Sequence, residues 1–286
     1  MPFNLPAMVK RTGRRRDVTL RPIIPTQAQA TDLATIYAPA WRIWADSIDR
    51  ILAGYDPQAL PTGDALTIDT ADQVQTAIGG VANEFLTILT ARITPALRDW
   101  IVRAERVHRD KWTTAVKAGV GVDLEMILNA GEVQETLSTF MQRNVALVTN
   151  VSDQAKGRIS DAVFRGYERR APVAEVAKEI REAASLGRDR SIRIAADQNS
   201  KLSSQLDRER QAEAGLTQFK WRHSGKAHPR SWHRARDGKV YDSRTGKPVD
   251  GGEAIPADDR AGMAPWCGCR EMAFLQILQD IEDQES

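Results

Sequence analysis

The sequence predicts a mostly α protein with a small α+β C-terminal module: a helical N-terminal domain followed by a turn-rich, short-stranded one. Three observations carry this. Apolar residues recur at spacings of three and four over most of residues 26–214. Glycine and proline become dense after Gly215, and three of the four histidines and both cysteines fall within residues 221–270. A chain of 286 residues favours more than one core. The expected division is a basic, proline-containing arm at 1–25, a helical domain at 26–170 and a C-terminal domain at 171–286.

Along the chain, Leu33, Ile36, Tyr37, Ala40, Trp41, Trp44 and Ile48 form one stripe and predict a helix over 28–52. Gly54, Pro57, Pro61 and Gly63 then predict a loop of a dozen or so residues. A second stripe is Phe85, Leu89, Ile93, Leu97, Trp100, Ala104 and Val107, with a kink or boundary at Pro95. A third follows Gly119 and Gly121 and comprises Leu124, Ile127, Val133, Leu137, Phe140, Met141, Val148 and Val151. Shorter helices are expected at 153–167 and 172–186, the latter opened by Pro172 and stopped by Gly187. A longer helix is expected at 189–214. Its Arg190, Arg193, Lys201, Arg208 and Arg210, interleaved with Asp197, Asp207 and Glu209, read as a solvated face. Phe219 and Trp221 alternate with polar neighbours, which predicts a half-buried strand over 217–222. A last helix is expected at 270–283, with Met272, Leu275, Ile277, Leu278 and Ile281 on its apolar side.

A hydrophobic share of 42% and a charged share of 27% are those of a soluble protein. The net charge of +2 excludes a general polycation, so nucleic-acid contact must come from local patches. One patch is N-terminal: Lys10, Arg11, Arg14, Arg15 and Arg16 predict an extended arm lying on nucleic acid or an acidic partner, against the plainer reading of a solvated tail. Prolines and arginines after Met1 leave no secretory signal. No apolar run approaches the roughly 20 residues that a membrane helix needs. Two cysteines one residue apart suit a reducing compartment rather than a disulfide framework.

A turn-rich module of this size has little apolar area to bury and needs a staple. Zinc would supply one, with His233, Cys267 and Cys269 as ligands and His228, His223, Asp237 or water as the fourth. The plainer reading makes the cysteines small buried residues and His233 a turn-bonded ring. His228 and His233 near Asp237 and Asp242 also fit a metal-dependent nuclease, the enzymatic alternative. Ser224 and Ser231 lie near histidines but lack the context that activates a nucleophile, so no catalytic residue is assigned. No glycine-rich phosphate loop is present.

One set of motifs carries a resemblance. Arg190-Ser191-Ile192-Arg193-Ile194-Ala195-Ala196-Asp197-Gln198, Lys201-Leu202, Arg208-Glu209-Arg210-Gln211 and Ala214-Gly215 lead into Phe219-Lys220-Trp221-Arg222. Arg230-Ser231-Trp232-His233-Arg234-Ala235, Asp237-Gly238-Lys239-Val240-Tyr241, Ala261-Gly262 and Cys267-Gly268-Cys269-Arg270 follow. Over residues 171–273 this pattern resembles the phage Mu F-like minor head proteins. Many members carry Cys-x-x-Cys where this chain has Arg230 and His233, and Cys-Arg-Cys where it has Cys267-Gly268-Cys269. The resemblance implies that His233 stands in for the second cysteine, while Arg230 removes the first. It also implies a virion component present in few copies, assembled in the host cytoplasm and seated in the head near the portal. The implied partners are the portal or major capsid protein and packaged DNA, with no membrane. Ejection with the genome, and thus an injected-effector role, follows as a further alternative.

Overall fold

A computed structural model describes residues 3–58, 68–124, 127–128, 133–228 and 230–277. It is mostly helical with one small antiparallel sheet in the C-terminal region, the fold class the sequence predicts. The helices are α1 (Leu5–Lys10), α2 (Gln27–Tyr37), α3 (Pro39–Asp46), α4 (Ile48–Leu52), α5 (Ile68–Ile88), α6 (Thr94–Val120), α7 (Gln134–Arg169), α8 (Val173–Glu213) and α9 (Ser231–Ala235). The strands are β1 (Val18–Thr19), β2 (Gln218–Arg222), β3 (Val240–Asp242) and β4 (Arg270–Leu275), in the order β1-β4-β2-β3. The chain divides into two compact units built from non-consecutive segments: 30–100 with 141–196, and 1–29 with 101–140 and 197–286. The units therefore do not follow the consecutive division expected above.

In the first of these units the aromatic residues of the 28–52 stripe are buried, but the helix is cut into α2, α3 and α4. Pro39 sits in the first turn of α3, where its missing N–H costs nothing. Trp44 donates from Nε1 to Ser152 Oγ at 2.9 Å, and the Tyr55 hydroxyl donates to the Ala171 carbonyl at 2.9 Å, so two large rings are buried with their polar tips satisfied. The Pro95 boundary takes the form of a π-helical turn over Leu89–Ile93, the wider turn that a residue without an N–H accommodates. The loop predicted around Pro61 and Gly63 lies outside the described residues.

Four expectations are overturned. Residues 3–25 are not an extended arm: Leu5, Val9, Leu20 and Ile23 are buried in a core with Trp112, Val116, Leu216 and Leu275, and β1 pairs with β4. Prolines at 2, 6, 22 and 25 obscure this apolar content in the sequence. The helix expected at 270–283 is instead β4 as far as Leu275, and residues 278–283 lie outside the described residues. Its register, Phe219↔Ala273 and Trp221↔Glu271, joins it to β2, because a central strand position satisfies its backbone on both sides. Gly187 does not stop a helix; α8 runs through it, as one glycine costs only about 1 kcal/mol against alanine.

The fourth correction concerns charge. The C-terminal half of α8 is not a solvated face, since Asp197, Lys201, Asp207 and Arg210 are all buried. Each has a partner: Lys201 Nζ lies 2.6 Å from Asp197, His108 Nε2 lies 3.0 Å from Asp207, and Arg210 lies 2.5 Å from Glu105 and 2.6 Å from Glu213. Gly215, at φ 68, ends α8 with the Leu216 N–H on the Gln211 carbonyl. Phe3 and Leu5 donate to the carbonyls of Glu213 and Ala214, which would otherwise be left open at the helix end. Arg210→Met leaves the buried Glu105 carboxylate with the more distant Arg109 at 3.9 Å and should cost about 3–5 kcal/mol in urea unfolding. Adding Glu105→Met should recover most of that loss.

Candidate metal centre

The site is built from three short pieces. His233 lies on α9, Cys267 and Cys269 on the turn that enters β4, and Asp259 at the end of a 3₁₀ turn, Ala257–Asp259. Beneath them is a small core of Phe219, Trp221, Tyr241, Ile255, Ala261 and Ala264, which also encloses both cysteines. Phe219 and Tyr241 stack at 5.5 Å, and Trp221 meets the His233 ring edge-on at 5.2 Å. Two guanidinium groups cover these rings: Arg236 lies 5.1 Å from the Trp221 centroid and Arg260 lies 4.6 Å from that of Phe219.

His233, Cys267 and Cys269 converge, with ligand atoms all within 4.8 Å of one another. His233 Nδ1 lies 3.5 Å from Cys267 Sγ and 3.7 Å from Cys269 Sγ. A tetrahedral ion bonded at about 2.3 Å to sulfur and about 2.0–2.1 Å to nitrogen separates such ligands by roughly 3.5 Å. All three residues are at most 4% exposed. This group could hold a metal ion, and its two sulfurs and one imidazole are donors that thiophilic divalent ions prefer.

The surroundings orient the donors. His233 Nε2 lies 2.8 Å from Asp259 Oδ1, which assigns the ring proton to Nε2 and turns the Nδ1 lone pair toward the sulfurs. Asp259 is held in turn by Arg236, which donates at 2.7 Å, and by Trp232 Nε1 at 3.0 Å. Burial works to raise its carboxyl, but hydrogen bonds from His233 and Arg236 outweigh burial and keep it below the usual range. The hydrogen bond from Cys269, helped by the Gly262 N–H at 3.4 Å, lowers Cys267 to about 5, while Cys269, which keeps the shared proton, is pushed up. Cys267 is thus the more acidic of the pair, and binding a cation would displace the proton that the two sulfurs share.

α8 supports the cysteine turn from the other side. Asp197 Oδ1 accepts the Trp266 N–H at 2.7 Å, and Ser200 Oγ donates to the Cys267 carbonyl at 3.2 Å. The Arg270 guanidinium, whose pKa burial depresses, bonds Ser200 and Ser204. Trp266 itself has φ 61, a left-handed conformation that costs a bulky residue on the order of 1–3 kcal/mol.

Other predicted site residues lie apart from the group. His228 is exposed, and His223 Nδ1 accepts the Gly225 N–H at 3.1 Å. Asp237 accepts the His223 N–H at 2.8 Å, and Asp242 accepts both the N–H and the hydroxyl of Thr245 at 2.6 Å, so both carboxylates fasten turns. Among the described residues the group has three members. Arg230 donates to the Pro265 carbonyl at 2.9 Å. Arg11, Arg14, Arg15 and Arg16 are exposed in the turn after α1, Lys10 is half-buried, and Arg14 bonds the Gly119 carbonyl. Sequence reasoning missed Asp259, Asp197 and Gly262. A carboxylate in a loop carries no local signal of which ring it will orient.

No family model matches the chain, and no solved structure matches it. It is similar to an uncharacterized protein of Haemophilus influenzae, 24% identical over 184 residues, which cover 64% of this chain and 39% of that protein. The chain thus matches well under two thirds of that relative's length. No described helix is long and apolar enough to cross a membrane.

Two substitutions test this geometry. A methyl group at Gly262, at φ 80, would collide with Ser204, so Gly262→Ala should destabilise the module and weaken metal uptake together. Asp259→Asn should leave the fold intact by circular dichroism yet lower affinity for zinc about 10–100-fold in chelator competition.

Proposed function

We propose that this chain is a minor head protein of a tailed bacteriophage whose C-terminal module is stapled by zinc on His233, Cys267 and Cys269. The observation that carries the reading is the placement of the motif residues. Phe219 and Trp221 on β2, Tyr241 on β3, His233 on α9 and the Cys267–Cys269 pair enclose one small core. The resemblance implies that His233 stands in for the second cysteine of a Cys-x-x-Cys, and its approach to the Cys-x-Cys pair supports that reading.

Zinc in this site would cross-link α9 to the turn before β4. His233 supplies the neutral donor, held by Asp259, and the two sulfurs supply the anionic ones. The burial of all three ligands restricts the approach of a substrate, which favours a structural ion over a catalytic one. The role in head assembly rests on the motif resemblance, with the exposed Arg11, Arg14, Arg15 and Arg16 offered to packaged DNA or to an acidic face of the portal or capsid protein.

Particles of the encoding phage, purified away from cell lysate, should contain the protein in few copies at the portal vertex. Its absence from assembled heads would overturn the assignment. The metal reading is tested separately. Chelation should lower the melting temperature of the purified protein, and zinc should restore it. Arg230→Cys, which returns a thiol to the missing ligand position, should tighten zinc binding at least tenfold.

A further inference from the structure

Two tryptophans of the C-terminal module keep half their surface in solvent: Trp232 is 53% exposed and Trp266 50%. Trp266 is the more unusual. It occupies a left-handed conformation that glycine adopts without strain, and the backbone around it is pinned at three points. Its N–H is on Asp197, its carbonyl accepts from Lys226 Nζ at 2.6 Å, and the neighbouring Pro265 carbonyl accepts from Arg230 at 2.9 Å. A fold that over-determines a strained residue and leaves half of its ring in water is not using that ring simply to fill a core. Persistent strain of this kind points to recognition. Trp232 is fixed by its Nε1 bond to Asp259, which locks the ring without covering it. Trp232 and Trp266 are the chain neighbours of His233 and Cys267, whose side chains meet at 3.5 Å, and the Trp232 and His233 rings lie edge to face at 6.0 Å.

The segment that carries Trp232 is one-sided in charge. Lys220 to Lys239 contains seven basic residues and one acidic one, Asp237, whose carboxylate is taken by the His223 N–H. Arg222, Lys226 and Arg234 are exposed and Arg230 is half-buried; none of the four is ion-paired to a carboxylate among the described residues. Exposed rings interleaved with unpaired cations match a ligand that offers flat aromatic faces on an anionic backbone. An acidic peptide offers the charge without the faces, and a duplex keeps its base faces stacked.

We propose that the surface carrying Trp232, Trp266, Arg222, Lys226, Arg230 and Arg234 binds single-stranded nucleic acid, the rings stacking on bases and the cations contacting phosphates. This surface is distinct from the N-terminal basic turn and does not depend on the head-protein assignment.

The test is fluorescence anisotropy of a labelled oligothymidylate with the full-length protein. Trp266→Gly removes the ring while suiting the backbone, and it should weaken binding about tenfold with an unchanged urea midpoint or a raised one; Trp232→Ala should weaken it about tenfold again. Arg222→Gln with Arg234→Gln should make the slope of log affinity against log salt shallower by about 1.4, near 0.7 for each phosphate that is no longer neutralised. The arginines of the N-terminal turn can change that slope but cannot mimic the dependence on the two rings. Absence of binding, binding indifferent to both tryptophan variants, or equal affinity for the matching duplex would overturn the proposal. So would equally tight displacement by polyglutamate, which would identify the partner as an acidic polypeptide.

Discussion

The buried half of α8 is the constraint on which the C-terminal region depends. Asp197 pairs with Lys201 and at the same time receives the Trp266 N–H, while Ser200 and Ser204 hold Arg270 and Gln211 Nε2 donates to the Glu271 carbonyl at 2.8 Å. One polar helix face therefore anchors both ends of the cysteine turn and the first residues of β4. Buried polar groups are tolerated only when partnered, so this face admits few alternative packings. The ligand sulfurs are placed by hydrogen bonds to a helix far away in sequence as well as by their own loop.

The same economy appears in the small core over β2. Eight buried residues, two of them cysteines, are few for an independent fold, and the guanidinium groups over Trp221 and Phe219 extend apolar contact to its rim. Arg260 serves twice, covering Phe219 and forking onto Glu271 at 2.6 and 2.8 Å. The proposed zinc would add a cross-link where more apolar area is not available. That is why metal affinity and module stability are expected to move together in Gly262→Ala and to separate in Asp259→Asn.

Much of this was legible in the sequence, and the exceptions share a physical origin. The alternation of Phe219 and Trp221 reported its strand directly, and the period-3.6 stripes found the buried faces, although 28–52 is cut into three helices and Leu124, Ile127 and Val133 precede α7. The convergence of His233 with the cysteines was readable because few residue types bind soft metals. Three things were not. Lys201 and Arg210 look solvated until their buried partners are known. Met272 and Leu275 fit a helical period as well as a strand until β1 and β2 are seen to claim the backbone. Leu5 and Val9 are masked by the charges that follow them. In each case the deciding partner lies far along the chain, beyond the reach of local pattern.

The position of β4 also orders events in time. It lies between β2 and β1, so a strand made after the other three of this sheet is the one that joins the early segment β1 to the rest. Until residue 275 has left the ribosome, Leu5, Val9, Leu20 and Ile23 lack their partners Ala273 and Leu275, and neither cysteine turn nor sheet can close. Contacts of such long sequence separation are slow to form and leave apolar surface open meanwhile. The nascent chain is thus exposed to aggregation until β4 has emerged, and truncation before β4 removes the sheet's centre.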